Sequence, residues 1–118
     1  MKHKTIRNHK DFFVAPDDAN NFVVRTDCAV VKTKSTKEYG NNRYGIVVAK
    51  KLFKLAVHRN RAKRLLRDWI AFNEDLMLPD LDYILIARSS VLNFNREQGR
   101  KLIGDAFKQI AKLKNVKK

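Results

Sequence analysis

Two short, almost continuously apolar runs flank a helical pattern, and this arrangement most limits the folds open to the chain. The runs are Tyr44–Ala49 and Tyr83–Ala87, and the helical pattern between them spans Val57 to Phe72. Continuous apolar runs of this length are typical of strands covered on both faces, so we expect two central strands. The helix between them predicts a parallel pair joined by a crossover.

The N-terminal third predicts a short helix followed by strands. The segment from Thr5 to Val14 has Thr5 as a candidate N-cap and ends before Pro16, because the residue that precedes a proline avoids the α region. The valine-rich segment from Phe22 to Thr33 predicts one or two strands. The polar segment from Lys34 to Asn42 is predicted to be a hairpin loop.

The C-terminal quarter predicts a second long helix. Asn95 and Gln98 have the spacing of a capping box, and apolar residues recur at helical spacing from Leu102 to Leu113. The predicted order is α-β-β-β-α-β-α. We therefore expect an α/β (α+β) two-layer sandwich with a central mixed sheet, in one domain over residues 1–118.

The helix from Val57 to Phe72 is predicted to have one apolar and one cationic side. At about 100° per residue, an arc of about 140° collects the apolar residues. These are Ala62, Leu65, Leu66, Trp69 and Ile70. The remaining circumference carries Arg59, Asn60, Lys63, Arg64 and Arg67.

The position of the positive charge is as informative as its amount. Arg59, Arg61, Lys63 and Arg64 lie in the first turns of the predicted helix. Each cation there costs ~0.3–1 kcal/mol, because the helix dipole is already positive at that end. A polyanion would relieve this repulsion, and arginine forks bind phosphate and stack on unpaired bases. The helix alone leaves two interpretations open, an RNA-binding surface and a solvated amphipathic helix.

Composition indicates an acidic partner. The formal net charge is +14 and the isoelectric point is about 10.2. An anionic membrane is the less favoured partner, since the apolar side of the basic helix is needed to cover the strands and no run reaches the ~18–20 apolar residues of a spanning helix. The start of the chain, Met1 to Lys4, leads into polar sequence and not into a signal peptide, so we expect a cytoplasmic protein.

No residue pattern indicates a catalytic centre or a metal site within the chain. Cys28 is the only cysteine, which leaves it without a disulfide partner. Asp80 and Asp82 could together bind Mg²⁺, although turn-forming and strand-starting roles explain them more simply. We therefore expect a binding protein with no catalytic residues and no metal ligands of its own.

Two basic motifs resemble those of the bacterial ribonuclease P protein component. Lys50-Lys51 closes a strand, and the helix has Arg59-Asn60-Arg61 followed by Lys63-Arg64 and Arg67. The flanking strands, Arg43–Lys51 and Asp82–Arg88, are similar to those of the family as well. The resemblance implies a left-handed crossover in the strand-helix-strand unit, against the usual right-handed rule.

The resemblance also implies a role in a ribonucleoprotein endonuclease. The RNA subunit and Mg²⁺ bound mainly by it would remove the 5′ leader of precursor tRNA, and the protein would bind both RNAs. The implied RNA contacts are Lys50, Lys51, Arg59, Asn60, Arg61, Lys63, Arg64 and Arg67. Phe12 and Phe13 are candidates for a cleft that holds the leader, with core packing of a short helix as the alternative. Competing functions are a ribosomal or general structured-RNA-binding protein and a self-sufficient metal-dependent nuclease.

Overall fold

The structure is a five-stranded mixed sheet with helices packed against it. The computed structural model describes residues 3–7, 9–15 and 17–116. The strands are β1 (Lys4–Thr5), β2 (Val23–Arg25), β3 (Ala29–Ser35), β4 (Arg43–Val47) and β5 (Leu81–Ala87). The α-helices are α1 (Ala56–Phe72) and α2 (Arg96–Val116), and short 3₁₀ turns cover His9–Phe12, Glu74–Leu76 and Ser89–Asn93. The predicted α+β architecture is confirmed.

The sheet has the order β1-β4-β5-β3-β2. β4 pairs in parallel with β5, with Tyr44 opposite Tyr83, and α1 joins the two strands. β1 adds a short parallel pair to β4, whereas β3 runs antiparallel to both β5 and β2. The central parallel pair and its crossover helix are therefore as predicted.

The predicted hairpin over Lys34–Asn42 is wrong. β3 and β4 do not pair, because β5 lies between them and pairs with both. The connection instead hydrogen-bonds to the residues that precede β5: Thr36 N donates to Asp80 O at 3.0 Å and Gly40 N to Pro79 O at 3.0 Å. An apolar strand such as β5 is best buried between two neighbours, and this competition is a tertiary effect that the polar loop does not encode.

The predicted N-terminal helix over Thr5–Val14 is also wrong. Thr5 ends β1 and does not cap a helix, and only His9–Phe12 forms a single 3₁₀ turn. Ile6 N donates to Tyr44 O at 2.7 Å, and the Ile6 side chain is buried. Pairing with the open edge of β4 therefore replaces the hydrogen bonds that a helix would have formed. Pro16, which was expected to end the helix, lies outside the described residues.

The core lies between the sheet and the two helices. Tyr83 on β5 packs against Phe107 on α2, with ring centroids 4.8 Å apart. Burial raises the pKa of the Tyr83 hydroxyl to about 12, and that hydroxyl accepts a hydrogen bond from Leu78 N at 2.8 Å. From α1 the core takes four of the five residues of the predicted apolar arc, with Leu65 half-buried at its margin. The four are Ala62, Leu66, Trp69 and Ile70.

The start of α2 is fixed by the predicted capping box. Asn95 N donates to Gln98 Oε1 at 3.0 Å, and Gln98 N donates to Asn95 Oδ1 at 2.8 Å. One turn into the helix, the backbone of Gly99 lies directly against the indole of Trp69. A side chain at position 99 would occupy the space that the indole fills, so glycine permits the close approach of the two helices.

We predict that Gly99→Ala destabilises the protein by about 1–3 kcal/mol, since the new Cβ would overlap the Trp69 ring and force the helices apart. At an exposed helix position, Gly→Ala stabilises a protein by roughly 0.8–1 kcal/mol. The sign of the change in the free energy of unfolding therefore tests the contact between Gly99 and Trp69. Urea unfolding followed by far-ultraviolet circular dichroism measures the change. A more stable variant would contradict the contact.

Candidate nucleic-acid interface

The cationic side of α1 is exposed to solvent along the helix. Its exposed polar members are His58, Asn60, Arg61, Lys63, Arg64 and Arg67. From Asn60 to Arg67, these side chains make no ion pair or hydrogen bond within the described part of the chain. The residue that precedes α1, Leu55, provides no side-chain cap, and the first turn of α1 has no acidic residue. The positive charge of the dipole and of the side chains is therefore uncompensated at this end.

Arg59 differs from its neighbours because it is half-buried and used within the chain. Its Nη1 donates to Phe53 O at 2.7 Å and to Lys54 O at 3.1 Å. Both acceptors belong to the connection between β4 and α1, so the guanidinium fastens that loop to the helix. The geometry assigns Arg59 a positioning role, and its contact with RNA stays a prediction.

Lys50 and Lys51 lie in an exposed turn of the same connection. Leu52 N and Phe53 N both donate to Ala49 O, at 3.1 and 3.0 Å, which closes the turn. Phe53 is buried and anchors its far end. The two lysines are thus held between β4 and the loop that Arg59 fixes, with their charged groups directed to solvent.

Phe12 and Phe13 lie at the sheet face opposite the helices. Phe12 packs on Gly45 of β4, where an added Cβ would overlap the ring and lie 2.7 Å from its Cζ. Phe13 is 67% exposed. Together they border a cleft of about 380 Å³ whose other walls come from the sheet and the segments beside it. These walls are Val14, Asn21, Val23, Lys32, Val47, Ile84 and Ile86.

The sequence interpretation missed the strand residues of this cleft. The continuous apolar runs indicated strands covered on both faces, yet Val47 and Ile86 are only half-buried because the N-terminal segment covers that face in part. The signal that could have found them is the alternation of β3, in which Lys32 is opposite Ile84 on the open face. Lys32 is half-buried between the buried Val31 and Thr33 of the same strand, and a lysine at such an alternate position marks a face that is not fully covered.

Asp11 anchors the 3₁₀ turn that carries Phe12. Its carboxylate accepts hydrogen bonds from Lys37 Nζ at 3.0 Å and from Arg43 Nη1 at 2.9 Å, and these two partners lower its pKa. Arg43 also donates to the buried carboxylate of Asp82, through Nη2 at 3.3 Å and its backbone N at 2.7 Å. Asp82 therefore has a structural role at the start of β5, as the sequence favoured.

Two further lysines tie loops to the scaffold. Lys34 Nζ donates to the backbone oxygens of Asp11 and Phe13, at 3.0 and 3.1 Å, which fixes the aromatic segment above the sheet. Lys114 Nζ of α2 pairs with Asp80 Oδ2 at 2.6 Å. The two carboxylates that could have bound Mg²⁺, on residues 80 and 82, are thus each paired with a cation of the chain.

Two kinds of feature are absent from the described residues. Residues 3–7, 9–15 and 17–116 contain no group of three or more His, Cys, Asp and Glu side chains arranged to hold a metal ion. None of the described helices is long and apolar enough to cross a membrane. Cys28 is a free, buried thiol, and burial raises its pKa.

These features define the class of the molecule, a small basic α+β protein with an uncompensated cationic helix side and an aromatic cleft on the open sheet face. A family model for ribonuclease P matches residues 1–111. The ribonuclease P protein component of Lactobacillus delbrueckii subsp. bulgaricus is 33% identical over 99 residues, which cover 84% of this chain and 80% of that relative. The chain therefore belongs to the ribonuclease P protein family and is a subunit of that ribonucleoprotein.

Solved structures agree with this assignment. The RNase P protein of Staphylococcus aureus superimposes with a TM-score of 0.70 and 30% identity, over 94% of this chain and 97% of that one. A mutant of the S. aureus protein, described as defective in mRNA degradation activity, matches with a TM-score of 0.70 and 30% identity over 92% of this chain and 87% of that one. The similarity thus covers almost the whole fold.

We predict that Arg59→Ala and Arg64→Ala differ in their effect on the stability of the fold. Arg59→Ala should lower the free energy of unfolding by about 1–2 kcal/mol, because the loop carbonyls lose a charged donor. Arg64→Ala, an exposed change, should stay within ~0.5 kcal/mol of the wild type. Chemical denaturation measures both. Equal stability of the two variants would contradict the positioning role of Arg59.

Proposed function

We propose that the cationic side of α1 binds the catalytic RNA of ribonuclease P and that the sheet cleft holds the 5′ leader of precursor tRNA. The observation that carries the first part is the set of exposed cations on α1 that have no partner among the described residues. The observations that support the second are the exposed Phe13 and the neighbouring Lys32 on the open sheet face. The protein would thereby assist Mg²⁺-dependent endonucleolytic removal of the leader in the cytoplasm.

The proposed division of labour follows from the chemistry of the side chains. Mg²⁺ bound mainly by the RNA supplies the hydrolytic chemistry. Arg61, Lys63, Arg64 and Arg67 neutralise phosphates and release counterions, which allows two RNA molecules to approach each other. Holding the leader beside the catalytic RNA converts an encounter of separate molecules into an oriented one, and this raises the effective concentration of the scissile bond.

The leader cleft combines two means of holding a single strand. Phe13 offers an exposed ring on which a base can stack, at about 1–3 kcal/mol per base. Lys32, which also lines the cleft, supplies a cation for the backbone of the leader. Lys34 Nζ donates to the backbone oxygen of Phe13, so the segment that carries the ring is fixed before the leader arrives.

The alternative is a ribosomal or general RNA-binding protein, which the net charge of +14 would also support. Such a protein would bind unrelated structured RNAs with similar affinity, and each exposed cation would contribute a similar small amount. A third possibility, motivated by the S. aureus mutant, is RNA degradation by the protein alone. The two alternatives differ from the main proposal in the role of the catalytic RNA. A general RNA-binding protein would not prefer this RNA, and a nuclease that acts alone would not need it.

We predict that the protein stimulates leader removal when mixed with ribonuclease P RNA at low Mg²⁺, and that Arg64→Ala weakens its binding to this RNA about 10- to 100-fold through loss of a charged donor to phosphate. Arg64→Lys should recover only part of the affinity if the guanidinium fork is used. Lys112→Ala on the exposed surface of α2 is the matched control and should stay near wild type.

The measurements are precursor cleavage under single turnover and RNA affinity by filter binding. If the cleavage rate does not change as the protein is titrated up to and beyond an equimolar ratio to the RNA, the proposal is refuted. Equal small losses for Arg64→Ala and Lys112→Ala would favour general RNA binding. Precursor cleavage with the RNA subunit omitted would favour a nuclease that acts alone.

A separate prediction tests the cleft. Phe13→Ala should weaken holoenzyme affinity for a precursor with a leader about 5- to 100-fold, the range expected for one stacked base. Affinity for mature tRNA should not change. Tyr39→Ala is the control, since Tyr39 is an aromatic residue that is 76% exposed and lies outside the cleft. Equal losses for precursor and mature tRNA would contradict a role in leader binding.

A further inference from the structure

A second groove follows the cationic side of α1 and ends at the start of α2. Its volume is about 700 Å³. Val57, Leu65 and Trp69 form the apolar part of its lining, and Val57 is 64% exposed. The polar part consists of His58, Arg61, Arg64, Asp68 and Arg96.

The charge of this groove is cationic. Arg61 and Arg64 are one turn apart on α1 and Arg96 begins α2, so guanidinium groups come from both helices. The carboxylate of Asp68 is already occupied, since Arg100 Nε and Nη2 donate to its two oxygens at 3.2 and 3.1 Å. The groove therefore pairs an apolar floor with cations suited to a phosphate.

Trp69, beneath the other lining residues, carries an unpaired polar group. The indole is fully buried, and its Nε1 has no hydrogen-bond partner within the described part of the chain. A buried donor left unpaired is uncommon and destabilising in a native protein. The residue that carries it lies in the floor of the groove.

We propose that this groove binds one unstacked nucleobase of RNA together with its 5′ phosphate. The base would lie along Val57 and Leu65, and Arg61, Arg64 and Arg96 would hold the phosphate. A flat apolar ligand fits the floor and an anion fits the rim, and a nucleotide carries both. This inference rests on the proposed function and adds that α1 binds a nucleotide in a groove as well as phosphates on its surface.

The test compares two small probes of equal charge, AMP and ribose 5-phosphate, on the full ¹⁵N,¹³C-labelled chain. Trp69 is the only tryptophan, so its indole N–H gives a single resonance. AMP should shift this resonance and the methyl signals of Val57 and Leu65 in a saturable way. Ribose 5-phosphate should bind at least about 5-fold more weakly, since the base contributes by stacking and apolar contact.

A matched pair of substitutions checks the location. Val57→Ser should weaken AMP binding about 4-fold or more, the loss expected when apolar surface the size of one CH₂ or more no longer contacts the base. Ribose 5-phosphate should be unaffected. Val116→Ser, the same change at a residue that is 84% exposed at the end of α2, should alter neither affinity.

The outcomes separate the inference from the function on which it rests. Equal shifts and affinities for AMP and ribose 5-phosphate would reduce the groove to an anion site and overturn the inference. AMP shifts confined to the sheet cleft around Phe13 would overturn it as well. Stimulation of precursor cleavage is measured independently, so the proposed function can stand while the groove fails, or the reverse.

Discussion

Burial of one side of α1 is the interaction on which both the fold and the proposed interface depend. Leu66, Trp69 and Ile70 are fully buried in the core between the sheet and α2. Each contributes about 1.5–3 kcal/mol, which exceeds the ~0.3–1 kcal/mol that each cation costs near the positive end of the helix dipole. α1 can therefore begin with arginines and without a cap. The packing also fixes which side of the helix faces solvent, so the orientation of the charge follows from the core.

The acidic residues determine where positive charge remains. Asp82 pairs with Arg43 beneath the N-terminal segment, and Asp80 pairs with Lys114 of α2. Asp68 lies on α1 itself, yet it is turned toward Arg100 and does not neutralise the arginines of its own helix. The pairs of Asp68 and Asp80 are partly exposed and add little stability individually. The carboxylate of Asp82 is fully buried, so its pair with Arg43 satisfies a charge inside the protein. The larger effect of these pairs is to leave the charge of α1 uncompensated, and this unbalanced field attracts a polyanion at long range.

The sequence pattern within a short segment was sufficient to predict the helices and strands that bury one face or both faces. The apolar arc of α1, the parallel pair of β4 and β5 and the capping box at Asn95 follow from periodicity and spacing within short segments. The strands predicted over Phe22–Thr33 are present as β2 and β3. The segment before them and the Lys34–Asn42 connection did not follow from the sequence, because their structures depend on distant partners. β1 exists because the edge of β4 accepts it, and the Lys34–Asn42 loop crosses between non-adjacent strands because β5 takes the place between them. Competition between strands for pairing partners cannot be predicted from a short stretch of sequence.

The site shows the same limit at the level of single side chains. A motif groups Arg59 with Arg64 by residue type, yet Arg59 donates to the carbonyls of its own preceding loop and Arg64 faces solvent. Only the path of the loop distinguishes them. The consequence is functional, because a loop held by Arg59 loses less conformational freedom when Lys50 and Lys51 contact an anion. A guanidinium used inside the chain can thus strengthen binding by the cations around it without touching the ligand.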